Sequence, residues 1–187
     1  MKRNRLLIAL TGASGVEYGV VLSKYLREMG YPFDVIYTNG AEKVYYYEMG
    51  KKLSKVFKSW DNVYTNDDMS APFASGTYPL LGMVIVPCSM KTLGLIANGI
   101  DLNLVARAAS VQLKEGRKLV LVVRESPYSL PMIENMKKVA LAGATILPAS
   151  PGFYHKPKNI QDLINHVVGK ILDQFQIDHD LFKRWGF

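Results

Sequence analysis

The stretch Met83-Val84-Ile85-Val86-Pro87-Cys88-Ser89-Met90-Lys91-Thr92-Leu93-Gly94 sets the narrowest limits on how this chain folds. Met83, Val84, Ile85 and Val86 read as a strand buried on both faces, the pattern of an interior strand in a parallel sheet. The strand is expected to stop at Pro87, and a helical pattern resumes over residues 92–98. A buried strand that feeds a small-residue turn and a helix start leaves backbone N–H groups aimed at one spot, where anions and polar ligand edges bind. Taken once, this is also how an ordinary strand-to-helix loop looks. The chain repeats it.

Residues 5–10 form a first strand, followed by the turn Thr11-Gly12-Ala13-Ser14-Gly15 and a helix to about Met29 with Leu22, Tyr25, Leu26 and Met29 on one face. Gly30-Tyr31-Pro32 stops it. A second strand spans 33–37, and Thr38-Asn39-Gly40 opens a helix that runs to Gly50. Residues 51–79 have weak periodicity and read as an irregular excursion with at most one short strand near Val63-Tyr64. Beyond the central strand come a helix over 103–114, a strand over 119–123 ending in Arg124-Glu125-Ser126-Pro127, and a helix over 129–142 with Leu130, Ile133, Met136 and Ala140 inward. A strand over 144–147 leads through Pro148-Ala149-Ser150-Pro151-Gly152-Phe153-Tyr154 to the cleanest amphipathic helix, marked by Ile160, Leu163, Ile164, Val167, Val168, Ile171, Leu172 and Phe175.

Strands alternating with helices imply an α/β fold: a single-domain, three-layer, Rossmann-like parallel sheet with helices on both faces. One domain is expected over 1–187, with its core at about 5–175 and a tail at 176–187. In such sheets the ligand sits beyond the carboxyl ends of the strands, near the point where strand order reverses. Every strand here ends in small, polar or charged residues, from Thr11-Gly12-Ala13-Ser14 to Ser150 and Tyr154. That convergence is the main functional signal read from the residues alone.

Charge and composition narrow the ligand. The net charge is +7, yet the basic residues are scattered and mixed with acidic ones, as in Lys114-Glu115-Gly116-Arg117-Lys118. Nucleic acid calls for a contiguous basic run or a basic stripe with aromatics, so small phosphorylated ligands fit better. No apolar run approaches the roughly 18 residues of a membrane span. Met1-Lys2-Arg3-Asn4-Arg5 leads into too short an apolar run for a signal peptide and reads as a basic tag on the first strand. A single cysteine excludes an internal disulfide and suits a cytoplasmic setting. The first turn is neither G-x-G-x-x-G nor G-x-x-x-x-G-K-[ST], and Tyr37-Thr38-Asn39 stands where a dinucleotide fold places an acidic residue. A mononucleotide remains, its phosphate on the first helix start, with Ser14 and Thr38 as hydroxyl donors.

Taken together, Gly12-Ala13-Ser14-Gly15, Ala74-Ser75-Gly76, Val86-Pro87-Cys88-Ser89-Met90-Lys91-Thr92, Arg107-Ala108-Ala109, Leu113-Lys114-Glu115, Arg124-Glu125-Ser126-Pro127, Glu134-Asn135-Met136 and Leu147-Pro148-Ala149-Ser150-Pro151-Gly152-Phe153-Tyr154-His155 resemble the flavin prenyltransferases. These are the UbiX-like branch of a flavoprotein family that also holds cysteine decarboxylases, and they were long labelled aromatic-acid decarboxylases. The resemblance spans about residues 5–175. It implies transfer of a dimethylallyl group from dimethylallyl phosphate to reduced FMN, at N5 and then C6. The product, prenylated FMN, would serve a separate UbiD-type decarboxylase, and no metal is implied. By the same pattern Gly12, Ala13, Ser14, Thr38, Ser89, Met90, Lys91, Thr92 and Arg124 would hold FMN, with Ser14 near the reacting face of the ring. Ser89 and Thr92 could equally be helix caps, and one hydroxyl can serve both ends.

An allyl phosphate ionises once its departing phosphate is stabilised, which asks for donors and protons around it. The matched residues are Tyr154, Lys170, Arg107 and Lys114, with Glu125 and Glu48 as proton carriers. Many members carry arginine in place of Lys170 and of Gly116. Lys114 and Arg107 would come to the site across subunit contacts, implying a homo-oligomer, often a dodecamer. Cys88, with no base near it in sequence, reads as a small buried residue, and His155 as an organiser of its loop. Two other readings stand beside this one: an FMN-dependent cysteine decarboxylase of the same fold, and a non-enzymatic flavin carrier. Against the first, the stretch that carries a catalytic histidine in those relatives is here Tyr45-Tyr46-Tyr47.

Overall fold

Residues 5–186 are described in a computed structural model of the chain, so the expected basic tag at 1–4 lies outside the described residues. Six strands form one parallel sheet: β1 (Leu6–Leu10), β2 (Phe33–Tyr37), β3 (Val63–Thr65), β4 (Gly82–Cys88), β5 (Lys118–Val123) and β6 (Thr145–Ile146), in the order β3-β2-β1-β4-β5-β6. Both faces of the central strands are buried, and alternate residues serve opposite cores. Leu6, Ile8 and Leu10 of β1, with Val84 and Val86 of β4, belong to one core; Leu7 and Ala9, with Met83 and Ile85, belong to the other. Helices α1 (Glu17–Glu28), α2 (Asn39–Met49) and α7 (Ile160–Gln174) cover the first. On the opposite face lie α4 (Met90–Ala97), α5 (Leu104–Lys114) and α6 (Leu130–Leu141). The expected three-layer α/β architecture is what the chain adopts.

Helix starts are written locally. Thr38 Oγ1 accepts the Ala41 N–H (3.0 Å), Ser89 Oγ the Thr92 N–H (3.2 Å) and Asn103 Oδ1 the Ala106 N–H (3.0 Å). Each such cap contributes about 1 kcal/mol.

Five expectations need correction. Strand β4 does not stop at Pro87 but runs to Cys88, with a register shift between Ile85 and Cys88. Proline has no N–H for the ladder, and this irregularity accommodates it. Its carbonyl is used instead by Thr11, which donates both its N–H (3.3 Å) and its hydroxyl (2.7 Å). The following helix starts at Met90 rather than Thr92, because Ser89 caps it. On α6 only Val139 is buried, while Leu130, Ile133 and Ala140 face outward. That helix lies along α4 and β6 with one narrow stripe, so its apolar residues outnumber the places this chain offers them. Ile160 at the start of α7 is likewise exposed. The excursion at 51–79 holds a short helix, α3 (Leu53–Val56), and a 3-10 turn at Pro72–Ala74 as well as β3.

Candidate functional site

All six strands run the same way, so the turns after β1, β2, β4 and β5 and the loop after β6 share one rim. Strand order reverses between β1 and β4, and helices leave these two strands to opposite faces. The crevice between them is tied by Thr11: its hydroxyl, donated to Pro87, accepts the Ser89 N–H at 2.8 Å. Gly12 meets the turn after β2 backbone to backbone, since a Cβ there would stand 3.0 Å from Gly40 Cα. Any side chain at residue 12 would prise the two turns apart.

A cavity of about 510 Å³ opens here, with Gly12, Thr38, Ser89, Lys91 and Thr92 among its walls. Its size is that of a small-molecule site. Helix starts α2 and α4 face it, Lys91 adds a positive charge, and hydroxyls supply donors. The Ser89 hydroxyl donates to Thr92 Oγ1 (3.0 Å) while accepting the Thr92 N–H, so the cap and the cavity wall are one unit. These groups suit a planar heterocycle carrying a phosphate, and FMN is such a ligand. Ala13 is buried and Met90 half-buried in the turns that shape the cavity.

Ser14 and Glu48 line a neighbouring, largely apolar depression of about 440 Å³ with Tyr18, Met49, Ile160 and Ile164. The Glu48 carboxylate receives the Gly15 N–H on both oxygens (3.0 and 3.1 Å), closing the turn ahead of α1, which has no side-chain cap of its own. Burial pushes the Tyr18 phenol up, Arg124 lowers it and Glu48 raises it again. Arg124 is exposed at the tip of β5. Glu125 is half-buried at that tip, accepting the Ser126 N–H at 3.0 Å.

Tyr154 lies after β6. Its hydroxyl is 3.2 Å from His166 Nε2, and Trp185 meets its ring edge-on at 5.5 Å. The last residues are fastened to α7 through Asp173, which receives Arg184 (2.8 Å), His179 (3.2 Å) and, at 3.5 Å, Lys170. His155 stacks on His166, with ring centroids 5.0 Å apart.

Arg107 and Lys114 stand elsewhere within this chain. Arg107 donates to the Ala74 carbonyl (3.0 Å) and to Asp101 (2.9 Å), and Lys114 pairs with Glu115. With Arg117 and Gly76 they wall a separate depression of about 700 Å³ that shares no lining residue with the switch-point cavity. Among the described residues no group of three or more His, Cys, Asp or Glu is placed to hold a metal ion.

Thr65, Asn66 and Asp67 also line the cavity and went unmarked in the sequence. The rule that sites gather after strands would have found them once the short strand at Val63-Tyr64 was taken as part of the sheet. Asn66 has a second duty, since its side chain and carbonyl accept the Val105 and Leu104 N–H groups at the start of α5.

Cys88 is wholly buried, and burial pushes its thiol up to about 12. The native protein should not react with a thiol reagent at pH 8, whereas one thiol titrates after denaturation; rapid native labelling would contradict this.

Comparison with known proteins places these features. The chain matches the Flavoprotein family over residues 1–172. It is 43% identical over 182 residues to the flavin prenyltransferase UbiX of Methanocaldococcus jannaschii, covering 97% of this chain and 98% of that one. The crystal structure of AnUbiX (PadA1) in complex with FMN and dimethylallyl pyrophosphate superposes with a TM-score of 0.95 at 41% identity, covering 100% of this chain and 99% of the other. A dodecameric FMN-dependent UbiX-like decarboxylase from Escherichia coli O157:H7 superposes with a TM-score of 0.91 at 38% identity, covering 98% and 100%.

Proposed function

The chain belongs to the Flavoprotein family, in its flavin prenyltransferase branch, and from that premise we infer how its rim does the chemistry. The protein is a flavin prenyltransferase, acting on FMN and a dimethylallyl phosphate ester. In our reading the dimethylallyl group passes from dimethylallyl phosphate to reduced FMN, forming bonds at N5 and then C6 as the phosphate leaves. Likeness over 97% of the chain to a flavin prenyltransferase carries this reading, and the cavity at the strand reversal supports it.

FMN is held by the turns after β1, β2 and β4, through Gly12, Ala13, Ser14, Thr38, Ser89, Met90, Lys91 and Thr92, with Arg124 reaching in from β5. When bound it supplies the nucleophilic ring atoms. Ser14 lies beside the apolar depression, which suits the hydrocarbon half of the allyl donor. Tyr154 and Lys170 grip the departing phosphate, neutralising the charge it gathers as the C–O bond breaks. Glu125 holds the proton that moves to the phosphate or from C6, and Glu48 fixes the turn carrying Ser14 and serves as a second carrier.

Arg107 and Lys114 complete the phosphate site of a neighbouring copy. Their separate depression supports this, as do Leu130 and Leu141 on α6, which are 70% and 81% exposed. A homo-oligomer would bury such faces, and the state we infer is a dodecamer, as in the Escherichia coli relative. Prenylated FMN then passes to a UbiD-type decarboxylase, and the setting is cytoplasmic.

Anaerobic incubation with reduced FMN and either dimethylallyl phosphate or the diphosphate, followed by weighing the extracted flavin, tests the activity. A mass gain of one dimethylallyl unit is expected. Unchanged FMN with both donors overturns the reading, and a flavin-loaded but inert protein would be a carrier.

A further inference from the structure

One contact in the loop after β6 has a fixed polarity. The Gly152 N–H donates to Nδ1 of His166 at 3.3 Å. A backbone amide can only donate, so Nδ1 is the bare nitrogen and the ring proton sits on Nε2. Nε2 is 3.2 Å from the Tyr154 hydroxyl and therefore donates to it. The phenol's own proton has to point elsewhere. The imidazole is held in place, 6% exposed, stacked on His155 (centroids 5.0 Å apart, planes within 8°) and packed on Phe182 at 4.7 Å. Burial, then His155 and Lys170, lower its pKa against the opposite pull of Asp173, which preserves the neutral ring.

We propose that His166 is a positioning residue that makes Tyr154 a one-way hydrogen-bond donor, aimed at the phosphate of the allyl substrate. The inference rests on the reading of Tyr154 as a phosphate contact. A phenol oxygen left to itself turns its lone pairs or its proton toward a neighbour with little preference. Occupied from behind by an N–H, it offers the proton outward, the only polarity a phosphate oxygen can use. Tyr154 opens on a depression of about 320 Å³ that Lys156, Lys183 and Arg184 also line, so the groups beside it attract the same anion. Gly152 leaves room for the pair, since a Cβ there would come within 3.0 Å of the Tyr154 ring and 3.3 Å of His166 Nε2.

Two amides separate the ring nitrogens. A glutamine nitrogen takes the Nε2 position, and an asparagine oxygen takes that of Nδ1 while leaving the phenol unsupported. With reduced FMN and dimethylallyl phosphate, His166→Asn should lower kcat/KM for the donor about five- to tenfold, the size of one lost hydrogen bond, at unchanged FMN affinity. His166→Gln should recover most of that loss. The double variant Tyr154→Phe with His166→Asn should be no slower than Tyr154→Phe alone, because His166 acts only through the hydroxyl. Wild-type kcat/KM in His166→Asn overturns the proposal, as do losses that multiply in the double variant, or a parallel loss of FMN affinity. A wild-type chain that forms no prenylated FMN removes the parent reading and this one with it. Wild-type turnover beside an indifferent His166→Asn removes this one alone.

Discussion

Glu125→Gln lowers formation of prenylated FMN by about 10²–10³-fold and leaves FMN binding nearly unchanged. The expectation follows from where β5 ends. Five buried residues, Leu119 to Val123, carry the chain straight to Arg124 and Glu125, so the carboxylate stands at the tip of a rigid strand. Its local hydrogen bond, from the Ser126 N–H at 3.0 Å, needs only a carbonyl-type oxygen, which glutamine keeps. Shape and turn survive, and the capacity to give or take a proton is lost. Product mass against time under anaerobic conditions measures the first half, and flavin titration the second. Full activity in the variant would remove Glu125 from the chemistry, and loss of FMN binding would make its role structural.

The second large effect is on the fold. Gly19→Ala should destabilise the protein by about 1–2 kcal/mol net and weaken FMN binding, although alanine is the better helix former. Helix propensity alone predicts a gain of about 1 kcal/mol. Against it, the added Cβ would lie 2.5 Å from the Val86 carbonyl oxygen and 2.8 Å from Leu10 Cγ. A backbone oxygen of the central strand cannot move aside, so α1 must lift from the sheet, and overpacking of this kind costs about 1–3 kcal/mol or more. Because α1 begins at the strand reversal, its displacement also shifts Gly12 and Ser14. A urea midpoint and a flavin titration measure the two consequences together. A raised midpoint would mean that the helix accommodates the methyl group, contrary to the geometry.

How much of this was legible beforehand depended on range along the chain. Strand and helix order, the cap at Ser89 and the gathering of polar turns on one rim all arise from interactions within a few residues, and residue type and spacing carry those. The proline in β4 misled, because the register shift that admits it, and the use of its carbonyl by Thr11 just beyond β1, are contacts with other parts of the chain. On α6 the apolar spacing was real, yet periodicity says that a face is apolar without saying what covers it; Leu130 and Leu141 found no cover in their own chain. Among the site residues, Gly12, Thr38 and Ser89 were legible as strand ends, whereas Thr65, Asn66 and Asp67 were hidden behind the short strand β3. His166 was not, since one polar residue inside an amphipathic stripe gives no hint that its ring meets Tyr154 twelve positions earlier.

The mooring of the final segment on Asp173 has a consequence for solution behaviour. Apolar burial holds the sheet and reaches Ile177 and Leu181, whereas Arg184 is held by its ion pair with Asp173, so acid and salt act chiefly on the latter. Partial burial disfavours the Asp173 charge, but Arg184 and His179 outweigh it and keep the carboxyl below the ordinary carboxylate range. With its folded value depressed, the mooring is intact above the usual carboxylate pKa and slips only as acidity rises past that lower value. Added electrolyte weakens the Arg184 pair sooner, because the guanidinium lies in solvent. Trp185, next along the chain, would follow it, and the medium around one phenol would change while the hydrocarbon layers stayed as they were.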